Sequence, residues 1–249
     1  MSISVPDERF TYWSPDTLLA EIAIEKPLLA CWESKTHPAQ IRMQSYLDSI
    51  SQQLTQFDDL ESGLCLEYEI DVERQDRMIR HHDLENYLTP IAQRLGGRRF
   101  CLARARKFVG GGSRLRISTC RIEQQSSDLN WPSLSATISG GIDSKAWKSS
   151  LVDVANTRVS EPLGPGPVHL EIAWRTDPAL NWTRLWKPTG DGLGPLLGYS
   201  RVGASFHPQD DRITSIGFHL THDPKMSRTV DLRVAWKLVE PDESLIEVE

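Results

Sequence analysis

The sequence predicts an α+β protein in which two α/β repeats pack against each other as an intrachain pseudo-dimer. Three observations carry this expectation. Apolar residues fall at near-helical spacing in some segments and alternate in others, so helices and strands are mixed along the chain. The order amphipathic helix, strand, loop, helix, strand, strand occurs twice. Short identities link the two copies in that same order: Leu66-Glu67 with Leu170-Glu171 at an offset of 104, Pro90, Leu95 and Gly96 with Pro188, Leu193 and Gly194 at 98, and Leu115-Arg116 with Leu232-Arg233 at 117. Matches in one order with modest gaps indicate duplication of a unit of roughly 100 residues. Two copies in one chain most naturally imitate a two-fold homodimer.

Residues 1–37 read as an N-terminal extension, with a short helix in "SPDTLLAEIAI" behind a Ser-Pro-Asp start. The first repeat spans 38–123. It opens with an amphipathic helix over 38–57, where Ile41, Tyr46, Leu47, Ile50 and Leu54 share a face. A strand follows in 62–73, then a helix over 83–95 that Gly96-Gly97 closes. "RRFCLARARKF" and "SRLRISTCRIE" read as two strands joined by a glycine turn at "VGGG". Residues 124–143 form a loop-rich linker. The second repeat, 144–240, has a helix over 144–157, stiff punctuation at "EPLGPGP" and a strand over 167–175. It continues with a glycine-interrupted helical stretch over 181–198, a polar loop, and a closing strand pair in "RITSIGFHLTH" and "TVDLRVAWKLVE". Residues 241–249 are an acidic tail.

Composition narrows the class. At 249 residues the chain is long enough to bury a real core, and 39% hydrophobic with 25% charged is ordinary for a globular protein. No apolar run approaches the 18 or more residues of a membrane span, so no membrane partner is expected. The N-terminus lacks the basic-then-apolar order of a signal peptide, which points to the cytoplasm. Cys31, Cys65, Cys101 and Cys120 are widely separated with no C-x-x-C pair, and read as reduced residues of an intracellular protein. A net charge of −6 argues against nonspecific coating of nucleic acid. Yet Arg94, Arg98, Arg99, Arg104, Arg106, Lys107, Arg114 and Arg116 form a run with no acid between them. Such a run is either a phosphate-binding face or a solvated strand edge.

The segment "HHDLENYLTPIAQRLGG" places His81, His82, Asp83, Glu85 and Asn86 at the mouth of a helix. Asp83-x-Glu85-Asn86, with Pro90 and Leu95 downstream, resembles the signature of RusA-type Holliday junction resolvases. The resemblance covers roughly 60–122 and 166–239. In that family the run is Asp-x-Asp-Asn, with a lysine and a further aspartate later on the helix and another acid just before a strand. The first copy keeps Asp83, Glu85 and Asn86 but has Thr89 and Gln93 where the lysine and helix aspartate belong. The second has Asn181, Thr183 and Arg184 at the acidic positions, yet keeps Lys187, Pro188 and Asp191 and adds Asp210-Asp211 before a strand. Each half retains what the other lacks.

The resemblance therefore implies two RusA-like repeats sharing one composite site. Its metal ligands are Asp83, Glu85, Asp210 and Asp211, holding Mg2+ or Mn2+. Lys187 serves the phosphate, and Asn86, His82 and Asp191 support them. Phosphodiester hydrolysis needs such a set, because a metal lowers the pKa of the attacking water and magnesium takes oxygen ligands. The arginine-rich run would contact phosphates. The expected activity is magnesium-dependent, structure-selective cleavage of branched DNA, as a single nick per molecule. The alternative is a catalytically inactive, nucleic-acid-binding or scaffolding subunit of a larger assembly, which the missing lysine at Thr89 and the overall acidity favour. The chain would act as a monomeric pseudo-dimer or self-associate further.

Three other signals compete. Ser139-Gly140-Gly141-Ile142-Asp143-Ser144 matches the pyrophosphate loop of PP-loop ATP pyrophosphatases, although a glycine turn with an Asp/Ser cap explains it as well. His207, His219 and His222 surround Asp210, Asp211 and Asp223, which reads as strand-edge polarity or as a transition-metal site. Trp174, Trp182, Trp186 and Trp236 read as packing, with a base-stacking platform as the alternative.

Overall fold

The alternating segments assemble into one eight-stranded mixed sheet. The computed structural model describes residues 9–31, 33–54, 63–79, 83–123, 131–139, 145–201, 206–227 and 229–239. In chain order the elements are β1 (Trp13–Ile24), α1 (Pro38–Gln53), β2 (Leu64–Asp71), α2 (Leu84–Arg94), β3 (Phe100–Phe108), β4 (Ser113–Ile122), β5 (Ser133–Ser139), α3 (Lys145–Arg158), β6 (Val168–Thr176), α4 (Thr183–Asp191), α5 (Gly194–Leu197), β7 (Ile213–His222) and β8 (Thr229–Leu238). The strands lie in the order β1-β4-β2-β3-β7-β6-β8-β5. The pairing reads the same inward from either edge. β2 and β3 are parallel, as are β6 and β7, and the central pair β3–β7 is antiparallel.

Alternation decides what each face does, because successive strand residues point to opposite sides. Leu66, Tyr68, Leu115, Ile117, Leu170, Ile172, Leu232 and Val234 join the apolar faces of α1 to α4 in one core. Trp174, Trp182 and Trp186 stack there against Phe218 and one another, with Trp186 and Phe218 centroids 4.5 Å apart. All three tryptophans are fully buried, so they pack the core and offer no platform to a base. The other sheet face is charged. There Glu171 lies between His169 and His219 and crosses Gly217 so closely that a Cβ would sit 1.8 Å from its Oε2.

Several expectations change. "SPDTLLAEIAI" is the edge strand β1, paired to β4 with register shifts near Pro15 and Leu18, and not a helix. Residues 133–139, inside the stretch expected as linker, form the opposite edge strand β5. Neither β3–β4 nor β7–β8 is a hairpin, since β4 pairs with β2 on the side away from β3, and β8 with β6 away from β7. Gly110, Gly111 and Gly112, with φ of 83°, 94° and 76°, carry the chain over the end of β2. Asp71 accepts from the amides of Gly110 and Gly112 at 3.1 and 2.9 Å, which fixes that crossing. The residue matches also need revision. Glu67 faces Arg116, but Glu171 faces Ala235, so Leu-Glu and Leu-Arg cannot both mark equivalent positions.

No helix among the described residues is long and apolar enough to cross a membrane. The four cysteines are free. His81, His82, Gly140–Ser144 and the acidic tail lie outside the described residues. The strand that feeds the Ser139–Ser144 segment is an antiparallel edge, unlike the parallel strand that a pyrophosphate loop follows.

Candidate metal centre

Asp83 stands at the N-cap of α2 in extended conformation, but its side chain makes no capping bond. Instead Asp83 Oδ2 accepts from Asn86 Nδ2 at 2.9 Å. An aspartate at this position ordinarily satisfies the amides of the first turn. Here it is turned outward and held. Glu85, in that first turn, is buried. Pro90 removes the amide that would bond Asn86 O, and Ala30 N fills that role at 2.8 Å, tying the preceding segment to the helix.

Asp210 arrives from the other half of the chain, on a 3-10 turn that leads into β7. Single ligand oxygens of Asp83, Glu85 and Asp210 all lie within 4.8 Å of one another. The three can together hold a metal ion. Their mutual repulsion is visible in their protonation. Burial first, then the charges of Asp83 and Glu85, push Asp210 up to about 7. Burial likewise raises Glu85, with Asp83 adding to it and Lys187 opposing.

Lys187 projects from α4 into this cluster, 3.3 Å from Glu85 Oε1, 3.1 Å from Asp191 Oδ1 and 3.7 Å from Asp210 Oδ2. Burial works against its charge, but Glu85, Asp191 and Asp210 together hold the ammonium above its ordinary pKa. Asp191 is buried and also binds Lys148 of α3, so one carboxylate anchors two lysines. Asp211 flanks the triad without belonging to it. Its carbonyl accepts from Lys107 Nζ at 2.6 Å.

Lys107 requires a correction. It was expected among phosphate contacts, yet it is 4% exposed at the end of β3, on the helix side of the sheet. Burial lowers its pKa to about 8, although Asp83, Asp211, Glu85 and Asp210 all favour its charge. The remaining basic residues do not form one face with the triad. Arg104, Arg106, Arg114 and Arg116 alternate onto the far side of the sheet and pair with Glu171, Glu69 and Glu21. Arg94 pairs with Asp48, and Arg98 donates to Ala179 O at 2.6 Å. Arg99 is half-buried against Gly96. The histidines also separate: His207 lines the cleft beside the triad, whereas His219 is buried against Glu171 on the far face.

The residues at the start of α4 that the sequence comparison set against Asp83 and Glu85 make structural contacts. Asn181 Oδ1 accepts from Thr183 N at 3.3 Å and Thr183 Oγ1 at 2.9 Å, as a helix cap does. Trp182 Nε1 donates to Gly97 O at 2.7 Å, and a Cβ at Gly97 would lie 2.6 Å from the Thr183 methyl. Backbone and methyl fill the space. Among the described residues, Asp83, Glu85 and Asp210 are the one group of this kind.

Sequence reasoning missed Lys107 as a site residue and did not consider Lys148. For Lys107 the signal was present: it shares parity with Ala103 and Ala105, not with Arg104 and Arg106. For Lys148 there was none. Fold and site define a mixed α+β protein with a partly buried acidic cluster able to hold a metal ion. The chain matches no protein-family model and no curated protein.

Proposed function

We propose that this protein is a magnesium-dependent, structure-selective DNA endonuclease with one composite active site, built on two RusA-like repeats that pack as an intrachain pseudo-dimer. The observation that carries the reading is the convergence of Asp83 and Glu85 from one half with Lys187 and Asp210 from the other. That is the division of residues left when each half of a duplicated resolvase loses a different part of the signature. The inward-symmetric strand order is what two half-turn-related units sharing a central antiparallel pair would give.

A divalent ion held by the triad, Mg2+ or Mn2+, supplies a polarised phosphoryl oxygen and a more acidic water. The chain's own residues do the rest. Asn86 keeps Asp83 turned toward the ion site, and Asp191 keeps Lys187 within reach of a bound phosphate. The ammonium of Lys187 then offsets charge that builds on the phosphoryl oxygens. Lys107 fixes the Asp210-Asp211 turn through the Asp211 carbonyl. Because the related positions around Gly97 and Thr183 are filled, one strand is cut per encounter. Further self-association or another subunit would be needed for a second cut.

The test is incubation of a labelled four-way junction and a splayed duplex with the protein, with and without Mg2+. Magnesium-dependent nicking that Asp83→Asn reduces by at least about a hundredfold supports the reading. Branched DNA left intact under these conditions, or cleavage insensitive to Asp83→Asn, overturns it.

One observation favours the second reading, an inactive nucleic-acid-binding or scaffolding subunit. Lys187 already neutralises the triad from within, at salt-bridge distance from Glu85. If the site has decayed into an internal ion pair, the protein binds branched DNA without cutting it.

A further inference from the structure

Asp83 and Asp210 of the triad line an open cleft of about 720 Å³, larger than the ion site itself needs, with Glu85 buried behind them. The second half lines the same cleft with cationic and aromatic side chains as well as with Asp191, Asp210 and Asp211. Lys148, Arg201, Phe206 and His207 face the cavity there. Lys148 and Lys187 are held as a pair by the two oxygens of buried Asp191. Two ammonium groups fixed by one carboxylate are preorganised for an anion, since their side-chain ordering is already established before binding. Lys148 also lies 5.8 Å from the centroid of Phe206, which holds the aromatic ring beside the cation. The wall is braced by backbone bonds, Ser200 N to His207 O at 2.9 Å and Gln209 N to Gly198 O at 3.0 Å.

Carboxylates, cations and a partly exposed ring lining one cleft match the parts of a nucleotide: ion-bound phosphate, adjoining phosphate and base. We propose that this cleft receives a single-stranded nucleotide adjoining the scissile phosphate, with Lys148 and Arg201 on its phosphate and Phe206 and His207 against its base. The inference rests on the endonuclease reading and narrows its substrate to DNA with an unpaired arm. A paired base is stacked between neighbours and cannot enter, whereas an unpaired base presents its face to an aromatic wall. Neither Lys148 nor Phe206 contributes a ligand to the ion site.

Binding without chemistry separates this inference from the activity. In the full chain carrying Asp83→Asn, fluorescence anisotropy is measured with a blunt duplex and with the same duplex bearing a short single-stranded arm. The arm should tighten binding about tenfold. Phe206→Ala should erase most of that gain and leave duplex binding unchanged, and Lys148→Gln should likewise erase most of the gain. No gain from the arm, or a gain that survives both substitutions, overturns the proposal. So does tighter binding of a free mononucleotide than of the armed duplex, which would assign the cleft to nucleotide chemistry. The anisotropy result stands whether or not the wild-type protein cuts DNA, so the two readings fail separately.

Discussion

Lys187 occupies the triad's field as an ammonium that a divalent cation must offset or displace. Removing it should therefore improve ion binding while damaging chemistry. Lys187→Gln is expected to tighten Mn2+ binding by about tenfold in calorimetry, because a repelling charge about 4 Å away is lost, and to abolish nicking. Asp210 gives a second expectation. Its pKa rises from 3.8 to about 7 in the folded protein. An acid with a raised folded pKa destabilises the fold once the unfolded chain has lost its proton. The penalty therefore grows between these two values as pH rises, and persists above them. Asp210→Asn should melt higher than wild type at pH 8, by on the order of 5 °C, with the two converging toward pH 4. Metal affinity in the wild type should rise through the same window, since the ion competes with the proton.

At this scale the sequence made Asp83, Glu85, Lys187 and Asp210 legible, because setting two similar segments side by side shows which positions are complementary. Counting charges obscured Lys107. A run of basic residues on a strand is two faces, and only strand parity separates a buried site lysine from surface arginines.

The turn that follows α2 meets the start of α4 closely at Gly97. At Gly97 a methyl group would meet the Thr183 methyl at 2.6 Å, a distance that demands movement. Gly97→Ala should cost about 1–3 kcal/mol in denaturant unfolding. Adding Thr183→Ser, which removes the methyl and keeps the hydroxyl that donates to Asn181, should recover most of it. Loss of stability that the serine does not relieve would locate the strain elsewhere.

The long elements were readable where periodicity was strong, as in α1, α2, β2 and β6. β1 was misread because Leu18, Leu19, Ile22 and Ile24 also suit a short helix, and only an unpaired β4 edge decides for strand. The Gly110–Gly112 run looked like a hairpin turn because local sequence specifies a reversal, not which neighbour the returning strand pairs with. That choice belongs to the parallel β2–β3 unit, whose far side is the place left open to β4.

Across the whole molecule, charge is divided by the sheet. The helix side holds the acidic centre with Lys107, Lys148 and Lys187, and the far side holds arginines matched to Glu21, Glu69 and Glu171. A chain of net charge −6 arranged this way does not wrap DNA with a continuous basic surface. The acidic cluster instead lies beside a single cleft lined by Asp83, Lys187 and Asp210.

The count of cuts per binding event tests this most directly. A supercoiled plasmid bearing an extruded cruciform, cleaved by a proven monomer with Mg2+ under single-turnover conditions, should give nicked circles in wild type and none in Asp83→Asn. Linear plasmid produced in one binding event would mean two working sites, and would contradict a single composite centre.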